Sequence, residues 1–345
     1  MEKLASLLHA YNIEPPFYAE PIGSGLIHKT WKVRTAATEY VLQQINHNVF
    51  TKPGDIEYNN NLLEGYLKQY HDNYLIVFPL ADMKGKKLVR IDGFFYRLFP
   101  FVKDSHTIQC VETADQAYEA ASQFGRFTSM FSGMQVKKLR ITIPGFHDLR
   151  LRYRQFLTAL KKGNAQRIIF AKESIQKLLR YSFIEEEYRF IQSHPDFKVR
   201  VTHHDTKISN VLFNDYNEGI CVIDLDTVMP GYFISDVGDM MRTYLSAANE
   251  DETDFEKIII RKEMYKAIKN GYLNEMKDEL TKTETDSFYY SGKFIIYMQA
   301  IRFLTDYLNN DTYYGAQYEN QNYDRAGNQI VLLEQYLNME KILSR

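Results

Sequence analysis

The chain has 345 residues, of which 42 are Lys or Arg and 44 are Asp or Glu, giving a formal net charge of −2. With 45% hydrophobic and 25% charged residues, it has the composition of a folded globular protein, which excludes collagen-like, disordered and disulfide-framework chains. The near-neutral balance also lacks the broad basic field of a dedicated nucleic-acid binder.

The length suits about two domains. Cys110 and Cys221 lie far apart without metal-ligand spacing, which predicts a reduced, cytoplasmic chain. The first residues lack the apolar core of a secretory leader. No apolar run approaches the ~18 residues of a membrane helix, so no membrane partner is expected. Nothing in the sequence fixes an oligomeric state.

In chain order, residues 20–27 form a turn with Pro21, Gly23 and Gly25. Strands are predicted at 30–34 and 40–45. A helix follows at 55–69, with Ile56, Leu62, Leu63, Tyr66 and Leu67 at helical spacing. Two further strand-like runs occupy 74–78 and 94–99. The pattern changes after Phe99-Pro100-Phe101. Thr113, with Gln116 three residues on, reads as a capping box, and Ala117, Ala120, Ala121, Phe124 and Phe127 carry the helix forward. Amphipathic helices are predicted at 167–191, 255–270, 288–309 and 325–342, interrupted by one β-rich stretch at 199–226. The expectation is an α+β fold: a strand-rich lobe over residues 1–100, a hinge, and a larger helical lobe over 101–345.

The β-rich stretch carries the chemistry. Val211-Leu212-Phe213 and Ile220-Cys221-Val222-Ile223 flank a turn-forming segment and should pair as a hairpin. Asp205 and Asn210 precede the first strand; Asp224 and Asp226 follow the second. A hairpin brings its outer ends together, so Asp205, Asn210 and Asp224 should share one small volume. Such oxygen donors suit Mg²⁺, which takes one or two carboxylates together with phosphate oxygens and water. A carboxylate for the acceptor hydroxyl, a metal site and the nearby cation Lys207 are the parts that phosphoryl transfer requires.

His203-His204-Asp205-Thr206-Lys207-Ile208-Ser209-Asn210 matches the H-x-D-x₄-N catalytic loop of kinase-like folds. With Asp224-Leu225-Asp226, Pro230-Gly231 and Asp236-Val237-Gly238-Asp239, the chain resembles the aminoglycoside/choline-kinase-like phosphotransferases. Asn48-Val49-Phe50, Ile143-Pro144-Gly145-Phe146-His147, Thr227-Val228-Met229-Pro230-Gly231 and Ala300-Ile301-Arg302-Phe303-Leu304-Thr305-Asp306 look most like the N-acetylhexosamine 1-kinase group within them.

The resemblance implies a two-lobed protein-kinase-like fold, with a small antiparallel-sheet N-lobe and a mainly helical C-lobe. It implies ATP and Mg²⁺ as cofactors and a small-molecule sugar as acceptor, phosphorylated at its anomeric hydroxyl. By that resemblance, Asp205 is the base and Lys207 touches the transferred phosphate. Asn210 and Asp224 hold the metal, and Asp226 takes a second metal contact or supports it. Gly23, Ser24 and Gly25 form the turn over the nucleotide phosphates. Phe99 and Phe101 border the adenine hinge. Arg302 reaches the acceptor, and Tyr313, Tyr314 and Asn322 are candidates for a wall against the sugar ring.

One departure stands out. The strand that normally carries a phosphate-binding lysine reads Val41-Leu42-Gln43-Gln44-Ile45, and either Gln43 or Gln44 takes the lysine's place. That leaves open a nucleotide-binding pseudokinase, as well as other acceptors such as choline, an aminoglycoside, homoserine or another hexose. A hydrolytic transition-metal site at His203 and His204 is disfavoured, because adjacent strand residues point to opposite faces. His203 is expected to support the loop, Asp236 and Asp239 to fix it, and His204 has no assigned role.

Overall fold

The computed structural model describes residues 2–22 and 27–340; the predicted phosphate turn at Gly23, Ser24 and Gly25 lies outside them. Five strands form one antiparallel sheet: β1 (Phe17–Pro21), β2 (Lys29–Thr35), β3 (Glu39–Ile45), β4 (Val89–Ile91) and β5 (Phe94–Pro100), in the order β1-β2-β3-β5-β4. Period-2 alternation gives this sheet two faces. One buries Val33, Leu42, Tyr96 and Leu98 against Leu7 and Leu8 of α1 (Glu2–His9). The other sets Ile45 and Phe95 against Ile56 of α2 (Pro53–Tyr70).

After Pro100 the chain becomes mainly helical, as the apolar spacing predicts. The helices are α3 (Ala114–Met130), α4 (Leu149–Lys162), α5 (Ala165–Phe170), α6 (Lys172–Arg180), α7 (Phe183–Ser193), α8 (Phe233–Tyr244), α9 (Lys262–Met276), α10 (Lys282–Asp286), α11 (Phe288–Leu308) and α12 (Gln321–Asn338). The capping box at Thr113 forms as expected and starts α3. One large core joins these helices; α11, apolar nearly all round, is its central member. Among the described residues no helix is long and apolar enough to cross a membrane.

Set among the helices are β6 (His106–Thr107), β8 (Val211–Phe213) and β9 (Gly219–Val222), which form one small sheet, and the pair β7 (Arg200–Thr202) and β10 (Met229–Gly231). The predicted hairpin is therefore present, with Val211 opposite Val222.

Three expectations need correction. The helix predicted at 255–270 begins only at Lys262 and runs on to Met276, preceded by a single 3-10 turn at Phe255–Lys257. Residues 74–78 form no strand, although Leu80 N–H, just beyond them, donates to Leu98 O at 2.7 Å. The single predicted helix at 167–191 is three helices, broken at Ala171 and at Tyr181-Ser182. Its apolar pattern is continuous, but the turns let each short helix meet the core at its own angle.

Candidate active site

β7 delivers the chain to His203, and the loop that follows is fixed almost entirely by buried polar contacts. Asp236, on the first turn of α8, accepts hydrogen bonds from His203 N (2.9 Å) and His204 N (2.7 Å). Asp239, one turn on, accepts from Thr206 N at 2.9 Å. Thr206 Oγ1 donates to Asp236 O, and Tyr244 OH donates to Thr206 O at 2.6 Å. The Asp236/Asp239 spacing puts both carboxylates on one helix face, so α8 works as a jig for the loop. Burial pushes the Asp236 carboxyl up to about 7.

His203 plays the expected supporting part. Its Nδ1 accepts from Asp205 N (3.3 Å), which leaves Nε2 to donate to Ile223 O at 3.0 Å. The ring lies edge-on to Phe124 and Phe127, and burial lowers its pKa. One imidazole thus ties the loop to the end of the hairpin.

His204 also has a role, which the sequence reading did not assign. Its backbone is left-handed (φ 68°), a region that favours Gly or Asn. Its Nδ1 donates to Thr202 O at 3.0 Å. A Cβ on Gly231 would lie 2.5 Å from its Nε2, so the glycine of the Pro-Gly motif makes room for this ring. Burial lowers His204 to about 4. Its other neighbours are His147 and Phe146, at 5.3 and 6.5 Å between ring centroids.

The hairpin brings its outer ends together. Ile223 N donates to Asn210 O at 2.9 Å, and Asn210 Nδ2 donates to Asp205 O at 2.9 Å. The amide nitrogen is thereby engaged, leaving Asn210 Oδ1 as its atom for a cation. Asp224 sits at a left-handed φ of 61°, a conformation that concentrates at functional sites in non-glycine residues. Burial, then the charges of Asp226 and Asp205, push its carboxyl up to about 6. A divalent cation would relieve this crowding, so Asn210 and Asp224 fit Mg²⁺ by both donor type and charge.

Lys207 Nζ lies 3.6 Å from Asp205 Oδ1, with its side chain half exposed. Asp205 is the leading cause of the upward shift in the Lys207 pKa, so the ammonium charge is secure.

Of the two roles expected for Asp226, a second metal contact or support of the metal site, its contacts favour support. Its carboxylate, 2% exposed, is gripped by Arg97, with Nη2 2.9 Å from Oδ2 and Nη1 on Oδ1. His28 Nε2 lies 2.8 Å from the same Oδ2. Burial alone would raise the Asp226 pKa; Arg97 and then His28 overcome it and hold the group well below the usual carboxylate range. His28, Asp224 and Asp226 do present ligand atoms within 4.8 Å of one another. However, His28 Nδ1 accepts from Asn46 N, so both of its nitrogens are engaged. Asp224 remains the carboxylate open to a metal.

On β3 the inward glutamine is Gln43: its Oε1 accepts from Arg97 Nε (3.1 Å) and Nη2 (2.8 Å). Gln44 points to the opposite face and accepts from Tyr96 OH. Phe99 lies below the Arg97 guanidinium, 5.0 Å from it, and Phe101 packs under Lys32 Nζ at 3.8 Å. Arg97 and His28 were missed in the sequence. The signal for Arg97 was available: on β5 it shares a face with Phe95 and Phe99, an unusual place for a lone cation.

A cavity of about 400 Å³ opens between α4 and α11, lined among others by Arg152, Arg154, Arg302, Tyr313 and Tyr314. Arg302 bonds Gln299 Oε1 at 3.1 Å, and its guanidinium lies 5.5–5.9 Å from the rings of Phe146, Tyr313 and Tyr314. Phe146 is the bridge from this cavity to His204 and so to the catalytic loop. Asp306 accepts from Tyr313 N and Tyr314 N, presenting the two tyrosines together. Asn322 is corrected: it is fully buried beneath this loop, where Nδ2 donates to Asp311 Oδ1 and Gly315 O. It shapes the wall from behind and does not line the cavity.

An antiparallel sheet over a helical body, with an aspartate-bearing loop and a hairpin-end carboxylate between them, defines a protein-kinase-like phosphotransferase. The chain belongs to the APH phosphotransferase enzyme family, whose profile matches residues 19–262. Its fold is shared by a spectinomycin phosphotransferase solved with ADP and spectinomycin (TM-score 0.62, 16% identity, 99% of this chain and 98% of that one). It is shared equally by a microcompartment-associated aminopropanol kinase (0.65, 17%, 98% and 98%). Choline kinase from Cryptosporidium parvum also matches (0.60, 11%, 99% and 96%).

Proposed function

We propose that this protein transfers the γ-phosphoryl group of ATP to the anomeric hydroxyl of an N-acetylhexosamine, releasing ADP and the sugar 1-phosphate. The observation that carries this reading is the convergence of Asp205, Asn210 and Asp224 at the hairpin end, together with a cavity walled by paired tyrosines and Arg302 that Phe146 links to His204 of the same loop. Tyrosine faces suit the apolar face of a hexose ring. Arg302 and Arg152 both reach the cavity, and burial together with Arg302 lowers the Arg152 pKa. Their shared positive field disfavours choline and aminoglycosides, which are cations. The residues before Phe101 serve as the nucleotide lobe, and those after it as the acceptor lobe.

In this reading Asp205 orients the acceptor hydroxyl. As its oxygen bonds to the γ-phosphorus, the bond from that phosphorus to the β–γ bridging oxygen breaks, and the hydroxyl proton passes to Asp205. The anomeric hydroxyl is more acidic than an ordinary alcohol, so a carboxylate base suffices. Lys207 stabilises charge on the transferred group. Mg²⁺, held by Asn210 and Asp224, would supply charge neutralisation on the phosphates.

The test is ADP release with ATP and Mg²⁺ over N-acetylglucosamine, N-acetylgalactosamine, galactose, glucose, choline, homoserine and kanamycin. The expected result is turnover on N-acetylhexosamines that falls at least ~10³-fold in Asp205→Asn, with phosphorus NMR placing the phosphate at C1. Turnover confined to another acceptor would discard the sugar. Residual full activity in Asp205→Asn would discard the base.

A further inference from the structure

The kinase reading needs a fixed cation over the nucleotide phosphates, and β3 offers only Gln43. We propose that Arg97, on the neighbouring strand β5, is that cation. Gln43 and Arg97 are direct cross-strand partners in the β3–β5 ladder, so their side chains leave the same face of the sheet. Arg97 therefore projects beside the place from which a β3 lysine would project.

Gln43 does not merely vacate the position. Its Oε1 accepts from Arg97 Nε and Nη2, and Asp226 accepts from Nη1 and Nη2. These four contacts use four of the five guanidinium N–H groups. Among the described residues the remaining Nη1 N–H has no partner, and it is the group assigned to a phosphate oxygen. The glutamine and the aspartate thus aim the guanidinium, much as a carboxylate partner would aim a strand lysine. Asp226 is two residues beyond the metal-side Asp224, so the same contact sets the cation near the expected metal. A lysine at position 43 would face this guanidinium at close range, which accounts for a neutral acceptor there.

This inference rests on the nucleotide-binding reading and is tested without any acceptor. The Kd values of ADP and adenosine would be measured by calorimetry for the unaltered protein, Arg97→Lys, Arg97→Met and the double variant Arg97→Met/Gln43→Lys. The adenosine arm reports the pocket alone; the ratio of the two reports the phosphates. Arg97→Met should weaken ADP about tenfold or more and leave adenosine within twofold. The double variant, with an amine restored from β3, should recover most of the ratio.

An unchanged ADP-to-adenosine ratio in Arg97→Met would overturn the proposal, as would equal weakening of both ligands, which marks a purely structural arginine. Should Arg97→Met fail to fold because Asp226 is left unpaired, Arg97→Met/Asp226→Asn removes the stranded charge and is read in the same way. Absence of ADP binding in the unaltered protein would instead discard the kinase reading itself.

Discussion

At the scale of single residues, burial suppresses the ordinary charge of Asp224, Asp236 and His204, while Asp226 and Lys207 keep theirs. His204 gives the simplest test. Its folded pKa is about 4, against about 6.5 in an unfolded chain. The unfolded state therefore binds the proton first as pH falls. The stability from keeping His204 neutral is complete above pH 6.5 and is lost as pH drops towards 4, a change of about 3 kcal/mol. Asn at 204 tolerates the left-handed backbone and has no such titration. The expected outcome is that the unfolding free-energy difference between the protein and His204→Asn changes by that amount between pH 7.5 and 4. Urea titrations across the range would read it, and a flat difference would contradict the assignment. That Asp205, Asn210 and Asp224 would meet, with Lys207 beside them, was legible because the loop motif has fixed spacing and a hairpin joins its ends. Arg97 stood out on its strand face beside Phe95 and Phe99, but its partner was not legible, since Gln43 lies more than fifty residues away. Asp226 was read as a second metal contact or a support for the metal site, and the partners that favour support, Arg97 of β5 and His28, were hidden for the same reason.

At the scale of elements, α8 and the α3–α9 pair hold the catalytic loop against the helical body. α3 and α9 cross at a contact too close for side chains. A Cβ on Gly271 would meet Tyr118 O at 2.4 Å, and one on Gly125 would meet Tyr272 O at 2.9 Å. Backbone cannot yield as a flexible side chain can. Gly271→Ala should therefore cost about 2 kcal/mol, seen as a melting temperature lower by about 3 °C. An unchanged melting temperature would mean that the helices separate without penalty. Long helices such as α11 and α12 were legible from apolar spacing, and the Thr113 cap from its partner Gln116. The helices over 165–193 were misjudged as one because periodicity records which side is apolar, not where the axis turns. Residues 74–78 carry strand-forming side chains, but among the described residues β4 is the strand paired beside β5, and only Leu80, just beyond them, bonds β5.

At the scale of the whole molecule, the sheet region has little core of its own. Its two buried clusters comprise Leu7, Leu8, Ile13, Val33, Leu42, Tyr96 and Leu98 on one face and Ile45, Phe50 and Ile56 on the other. Cores this small do not sustain an independent unit. The region is fastened to the rest by buried polar contacts: Arg97 and His28 on Asp226, and Asn59 of α2. The Asn59 Nδ2 donates to Arg140 O and Val228 O, while its Oδ1 accepts from Arg140 N at 2.8 Å. Scanning calorimetry should accordingly show one cooperative transition, with no earlier step for residues before 101. A separate low-temperature transition would show that the fastening is weaker than this geometry implies. The general α+β outline was readable from composition and periodicity; the fastening was not, because each contact joins residues remote in sequence.

The glutamine on β3 has a practical corollary. Nucleotide reagents bearing an acylating group identify many kinases by modifying the strand lysine, an amine that reacts where a guanidinium does not. Here that strand offers an amide and its neighbour an arginine, so such a reagent does not find its usual amine on β3. Surveys that score kinases by strand-lysine labelling would pass this enzyme over, and a ligand designed to bond that lysine would spare it.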